Sequence, residues 1–151
     1  MKREEWGPII WKVLHCLTIK IKDDCFHNIK SNLIDTIQSI FSNLPCPYCS
    51  SHALLLFRKY NVKKINEKNI LIKALFVIHN EVNKKLKKKE LSYDIIDTYN
   101  NYDTKVVCVE YINAMNKSNY SERMMLYNFK KKQFINNFIK FIKSNINKFE
   151  N

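Results

Sequence analysis

A chain of 151 residues, 46% of them apolar, is long enough to bury one core and most simply forms one domain with room for a tail. One Gly and three Pro argue against strand-and-turn architectures and for an all-α fold. The formal charge of +12 points to anionic partners (nucleic acid, a membrane surface or a phosphate-bearing cofactor), while five cysteines with a single close pair exclude a disulfide-stapled secreted mini-domain.

The opening Met1-Lys2-Arg3-Glu4-Glu5-Trp6 lacks the apolar core of a signal peptide, and no stretch is long and apolar enough to span a bilayer. The expectation is a soluble, cytoplasmic protein. In such a reducing compartment a closely spaced cysteine pair is catalytic or metal-binding more often than structural.

Trp6-Gly7-Pro8 reads as a helix start with Pro8 in the first turn, followed by Ile10, Leu14, Leu17 and Ile21 at helical spacing. Trp11 and His15, one turn apart, share a flank of this helix, either as ordinary core or as a platform for a cofactor. Asp23-Asp24 breaks the pattern. A second helix carries Leu33, Ile34, Ile37, Ile40, Phe41 and Leu44, an amphipathic stripe that Pro45 ends.

Leu44-Pro45-Cys46-Pro47-Tyr48-Cys49 then places two thiols about one turn apart where a third helix begins. Backbone N–H groups and the dipole at a helix start favour a thiolate, and such a pair can act as a dithiol/disulfide couple. Zinc binding, or two small apolar residues beside a turn, are the alternatives. The third helix continues through Leu54, Leu55, Phe57 and about Tyr60, with His52 one turn beyond Cys49; Asn61 to Asn66 is a polar connection.

The fourth helix runs from about Glu67 to Leu86 on Leu71, Leu75, Ile78 and Val82. Phe76, His79 and Asn83 share an adjacent face, with Asn80 close by, and polar groups there need partners if buried. Lys84, Lys85, Lys87, Lys88 and Lys89 complement the helix dipole as a solvated face, or neutralise a diphosphate. Ser92 reads as the N-cap of a short fifth helix carrying Tyr93, Ile96 and Tyr99. A boundary near 103 separates residues 1–103 from a helical extension, 104–151, of open role. It contains the apolar segment Val106-Val107-Cys108-Val109, a capping box at Asn119 and Glu122, and a last helix on Ile135, Phe138, Ile139, Ile142, Ile146 and Phe149. That stripe suits docking on the bundle, a dimer contact or a partner site.

Three blocks in order, Trp6-Gly7-Pro8-Ile9-Ile10-Trp11-Lys12-Val13-Leu14-His15, Pro45-Cys46-Pro47-Tyr48-Cys49-Ser50-Ser51-His52 and His79-Asn80-Glu81-Val82-Asn83-Lys84-Lys85-Leu86, resemble the Erv/ALR family of FAD-dependent sulfhydryl oxidases, closest in pattern to those of large DNA viruses. The resemblance covers roughly residues 5 to 103 and implies a four-helix bundle plus a short fifth helix. It implies Cys46 and Cys49 as the redox pair, with Cys49 against the flavin and Cys46 exchanging with substrate thiols. It implies FAD contacts from Gly7, Trp11, His15, Tyr48, His52, His79, Asn80, Val82, Asn83, Lys85, Lys88 and Tyr93, and no resident metal. Protein thiols as substrates, oxygen as acceptor and a homodimer follow from the same resemblance; no nucleic-acid-binding motif is present, so no specific nucleic acid is expected. Phe76 stands where many cellular members carry a cysteine, Pro8 where they often carry Arg, and no second Cys-x-x-Cys pair is present. A zinc module using Cys46, Cys49, His52 and His79, or a basic nucleic-acid-binding helical protein, are the competing functions.

Overall fold

The computed structural model describes residues 1–117 and 125–151, with the backbone alone at 125–128. The helices are α1 (Arg3–Ile19), α2 (Phe26–Ser42), α3 (Pro47–Lys59), α4 (Lys68–Lys85), α5 (Thr104–Asn116) and α6 (Met125–Asn145), with a 3-10 segment, Tyr93–Asn101, between α4 and α5. The fold is all-α. Among the described residues the one strand-like contact is an isolated antiparallel bridge between Ile21 and Phe149.

α1 is the central element, packed against α2, α4, α5 and the 3-10 segment. Val13, Leu14 and Leu17 on it are completely buried. The apolar stripe of α2 faces the same core through Leu33, Ile37, Ile40 and Phe41, and α4 contributes Leu71, Leu75 and Ile78.

α1 begins earlier than the expected start at Trp6–Pro8. The backbone N–H of Lys2 donates to the Glu5 carboxylate (3.3 Å), and burial of Trp6 fixes the first turn to the core, so Pro8 lies inside the helix. Near the helix start the missing proline N–H removes only one intrahelical bond. The expected fifth α-helix is a 3-10 segment, and the Ser92 side chain makes no cap bond. Tyr93, Ile96 and Tyr99 recur every third residue, which is the repeat that keeps one face on a 3-10 turn.

The segment after 103 shares the bundle's core. Asp103 caps α5 by accepting from the Val106 N–H (3.1 Å), and Val107, Cys108, Tyr111 and Met115 pack with the residues of α1. Phe138 of α6 lies 4.8 Å from the Tyr111 ring, centroid to centroid. Docking on the bundle is thus what the stripe of α6 does. α6 ends at Asn145, so Ile146 falls in a 3-10 turn and Phe149 in extended chain. There Lys20 donates to the carbonyls of Asn100, Tyr102 and Asn151, and the Thr104 hydroxyl to that of Glu150 (2.7 Å). The expected capping box at Asn119 and Glu122 lies outside the described residues.

Candidate active site

The connection from α2 to α3 is tied at Leu44, whose N–H donates to the Ser50 hydroxyl (3.0 Å). Cys46 is extended (φ −140°, ψ 110°) and Pro47 takes the first helical position of α3. The Cys46 sulfur accepts the Cys49 backbone N–H at 3.2 Å, so the N-terminus of α3 acts directly on that sulfur. Cys46 and Cys49 are joined as a disulfide, with Cα atoms 5.2 Å apart. Tyr48 between them is 66% exposed and offers an aromatic surface beside the pair.

Cys49 opens into a cavity of about 610 Å³ bounded by α1, α3, α4 and the 3-10 segment. Gly7, Trp11, Tyr48, Cys49, His52, His79, Val82, Asn83, Lys85 and Lys88 line it. Four expected residues do not. Cys46 is bonded to Cys49 without lining the cavity. His15 lies behind His79. Asn80 clamps the loop after α4, its side chain accepting the Leu91 N–H (2.8 Å) and donating to the Leu91 carbonyl (3.0 Å). Tyr93 packs edge-on against Phe76, 5.1 Å between centroids.

The cavity also gathers residues that the resemblance does not name as cofactor contacts. Arg3, Lys12 and Lys89 bring cations; Trp6, Phe41, Leu44, Tyr99 and Tyr102 bring apolar or aromatic wall. Phe41, Leu44 and Tyr99 were visible as core stripe, and Lys89 as part of a lysine run. Arg3 and Tyr102 carried no local signal.

Trp11 and His79 stack nearly parallel, 4.0 Å apart and 6° between planes, and His15 stacks on Tyr99 at 4.7 Å. His15 Nε2 and His79 Nδ1 are 2.9 Å apart, while His15 Nδ1 is buried without a partner. A buried orphan N–H is costlier than an unfilled acceptor, so His15 carries its proton on Nε2 and donates it to His79. The proton of His79 is then on Nε2. Burial holds both rings neutral, pushing His15 down to about 3, with help from His79, and His79 down to about 4, with help from Lys88. Burial, then Lys85, also lowers His52.

Lys85 lies over the Tyr48 ring at 4.7 Å, and Lys12 over the Tyr102 ring at 4.9 Å while pairing with Glu110 at 3.3 Å. Lys88 is delivered by the end of α4: its N–H bonds the Asn83 carbonyl (2.8 Å) and Lys87 N–H the Lys84 carbonyl (3.1 Å), with Lys87 left-handed at φ 58°. That is the Schellman ending, and it turns the lysine run toward the cavity.

The other thiols differ. Cys16 and Cys108 are buried, and burial pushes them up to about 11 and about 12; Cys25 is half-buried. Among the described residues no three or more His, Cys, Asp or Glu side chains converge on a point that could hold a metal ion.

An FAD-linked sulfhydryl oxidase of African swine fever virus, isolate Tick/Malawi, is 34% identical over 88 residues, covering 58% of this chain and 73% of that protein. The proteins of the same name from isolates Pig/Kenya and Warthog/Namibia are 34% and 33% identical over the same extent. No solved structure matches at a significant level. Residues 8–104 match the Erv1/Alr family from the first helix through the 3-10 segment, so the chain belongs to that family.

Proposed function

We propose that this protein is an FAD-dependent thiol oxidase that forms disulfides in protein substrates and delivers the electrons to oxygen. The observation that carries the reading is the placement of the redox turn. Cys49 faces a cavity walled by aromatic rings and rimmed by Arg3, Lys12, Lys85, Lys88 and Lys89, while Cys46 does not line it. Flat ring surfaces and a cluster of cations suit a planar heteroaromatic carrying a diphosphate. The same cluster accounts for part of the positive charge without invoking nucleic acid.

Trp11, His79 and Tyr99 would hold flat rings, Lys85 and Lys88 the diphosphate, and His52, Val82 and Asn83 the remaining wall, with Gly7 leaving space at the α1 side. His15 is a positioning residue that fixes the tautomer of His79. Asn80 acts through the loop it clamps, and Tyr93 through Phe76.

A substrate thiolate attacks the Cys46 sulfur; the Cys46–Cys49 bond breaks and Cys49 leaves as a thiolate at the start of α3. A second substrate thiolate attacks the substrate sulfur of the mixed disulfide, freeing the oxidised product and the Cys46 thiolate. The two thiolates then close again to the disulfide, releasing an electron pair from the cavity-facing Cys49; the two protons were given up by the substrate thiols when they ionised. When bound, FAD supplies the acceptor for that pair and its onward transfer to oxygen, which yields hydrogen peroxide.

No described helix is long and apolar enough to cross a membrane. A cytoplasmic disulfide-forming route and a homodimer complete the reading. Exposed Val106 and Val109, one turn apart on α5, supply apolar surface for a second copy. The test is a visible spectrum of purified protein. A flavin band that bleaches on adding a dithiol under argon and returns with air is expected; a colourless protein with stoichiometric zinc would overturn the reading.

A further inference from the structure

A second cavity, of about 500 Å³, lies between α2 and α6 and is distinct from the first in chemistry. Its floor is Phe134, Phe138 and Phe141 of α6; its walls are amide and hydroxyl side chains, among them Asn32, Ser39, Gln133 and Asn137. Asn32, Thr36, Ser39 and Asn43 recur at helical spacing along α2, beside the stripe that enters the core. The distance from Asn32 to Asn43 is about 16 Å of helix, which matches about five residues of extended chain.

The groove points at the redox turn. Lys148, just after α6, bonds Asn28 near the start of α2 (2.9 Å), so α6 runs antiparallel to α2 and its Lys130 end lies by Asn43. Asn43 is three residues before Cys46, a separation of at most about 11 Å. Phe129, one turn before Gln133 on the same face, is 68% exposed at that end. The groove's one carboxylate, Asp35, pairs with Lys63 of the α3–α4 connection at 3.3 Å. Lys130 and Lys140 line the groove and form no ion pair among the described residues, which leaves it positive.

We propose that the α2–α6 groove receives an extended, acidic segment of the protein thiol substrate and presents its cysteine to Cys46. The carboxamides meet backbone N–H and C=O groups of the segment, the two lysines meet its carboxylates, and the exposed Phe129 meets an apolar residue near the thiol. This gives the chain beyond residue 103 a part in choosing substrates, and it rests on the oxidase reading above.

The experiment compares flavin-loaded wild type with Lys130→Glu/Lys140→Glu, both sites exposed and outside the first cavity. The probes are dithiothreitol, an acidic Cys-x-x-Cys peptide and its lysine-rich counterpart. The double variant should oxidise dithiothreitol at the wild-type rate, while its KM for the acidic peptide rises at least about tenfold and that for the basic peptide falls. Anisotropy of the acidic peptide with serines in place of cysteines reads docking without turnover and should lose the same factor. Wild type that handles both peptides alike, or a variant with unchanged KM and binding, overturns the proposal. So does Ser39→Trp if it shifts a dimer to monomer in sedimentation without weakening the peptide, because the groove would then hold a second copy. No dithiothreitol oxidation by loaded wild type, with peptide binding intact, would instead defeat the oxidase reading.

Discussion

Cys46 and Cys49 begin a helix; Cys16 and Cys108 lie within α1 and α5, two helices packed on each other. The residue type is the same and the chemistry opposite. At the start of α3 a backbone N–H already points at the Cys46 sulfur, and Cys49 opens into a cavity. Between α1 and α5, burial pushes the thiols up to about 11 and about 12, which removes the thiolate that exchange requires. Cys108, 2% exposed, therefore presents no accessible thiol while the fold is closed. Reactivity here is a property of helix position and exposure, not of cysteine content.

The most direct way to break this contrast is to exchange the fates of the two regions. Cys49→Ser is expected to reduce dithiol-driven oxygen consumption to background while keeping bound flavin, and Cys46→Ser to do the same. Cys16→Ala and Cys108→Ala should leave turnover unchanged. Turnover at the wild-type level in either redox-turn variant, measured with an oxygen electrode, removes the assigned roles.

Next in size is the ring stack that joins the regions: His15 packs on Tyr99, and the Tyr99 carbonyl faces the Cys16 sulfur at 4.0 Å. His79→Ala deletes the ring stacked on Trp11 and leaves His15 Nε2 without its partner. Loss of one stacked aromatic and one buried hydrogen bond is worth about 1–3 kcal/mol, so FAD affinity should fall by roughly 5- to 150-fold. Flavin content per protein after desalting is the measurement; full occupancy with unchanged affinity contradicts the role.

The same pair makes stability pH-dependent. Folded His15 and His79 are lowered from 6.5 to about 3 and about 4. Between those values and 6.5 the unfolded chain binds protons that the folded chain refuses, so stability rises with pH there. Their stabilising balance is complete above about pH 6.5 and is lost as pH falls below it, by up to about 1.4 kcal/mol per pH unit for each ring. The loss slows near pH 4, where folded His79 protonates. Urea midpoints at a series of pH values should show this slope, and His15→Gln should cut it by about half; a flat profile from pH 7 to 5 would remove the neutral pair.

A smaller effect is expected between α1 and α5. Cys108→Ala empties a well-packed site and should lower stability by about 1 kcal/mol with flavin content unchanged. Iodoacetamide should label Cys25 in the native protein before Cys16 or Cys108. Rapid labelling of Cys108 would mean that α1 and α5 open readily.

Much of this was legible in the residues. Apolar stripes fixed α2 and α4 because a helix repeats every few residues, and Pro47 after Cys46 marked the start of α3. His79 and Asn83, each 8% exposed, are inside, as polar groups facing a cavity must be. What was not legible depends on distant chain. Arg3 and Tyr102 enter the site only because α1 starts at Arg3 and the 3-10 segment folds back over it. Asn80 is marked by the family resemblance, and its two bonds hold Leu91, a contact across a loop that local pattern does not encode.

The smallest effect tests the corner behind the cavity. Lys87 is left-handed at φ 58° to close the Schellman turn that carries Lys88 and Lys89 to the rim. A side chain with a Cβ pays about 1–2 kcal/mol there, partly offset because glycine loosens the unfolded chain. Lys87→Gly should therefore stabilise the protein by about 0.5–1 kcal/mol, and because Lys87 does not line the cavity, flavin affinity should not move. The end of α3 is the internal control: Asn61 is also left-handed, at φ 50°, but asparagine tolerates that region, so Asn61→Gly should gain almost nothing. Denaturant midpoints for the two variants decide it. A larger gain at Asn61 than at Lys87 would mean that the lysine corner is unstrained.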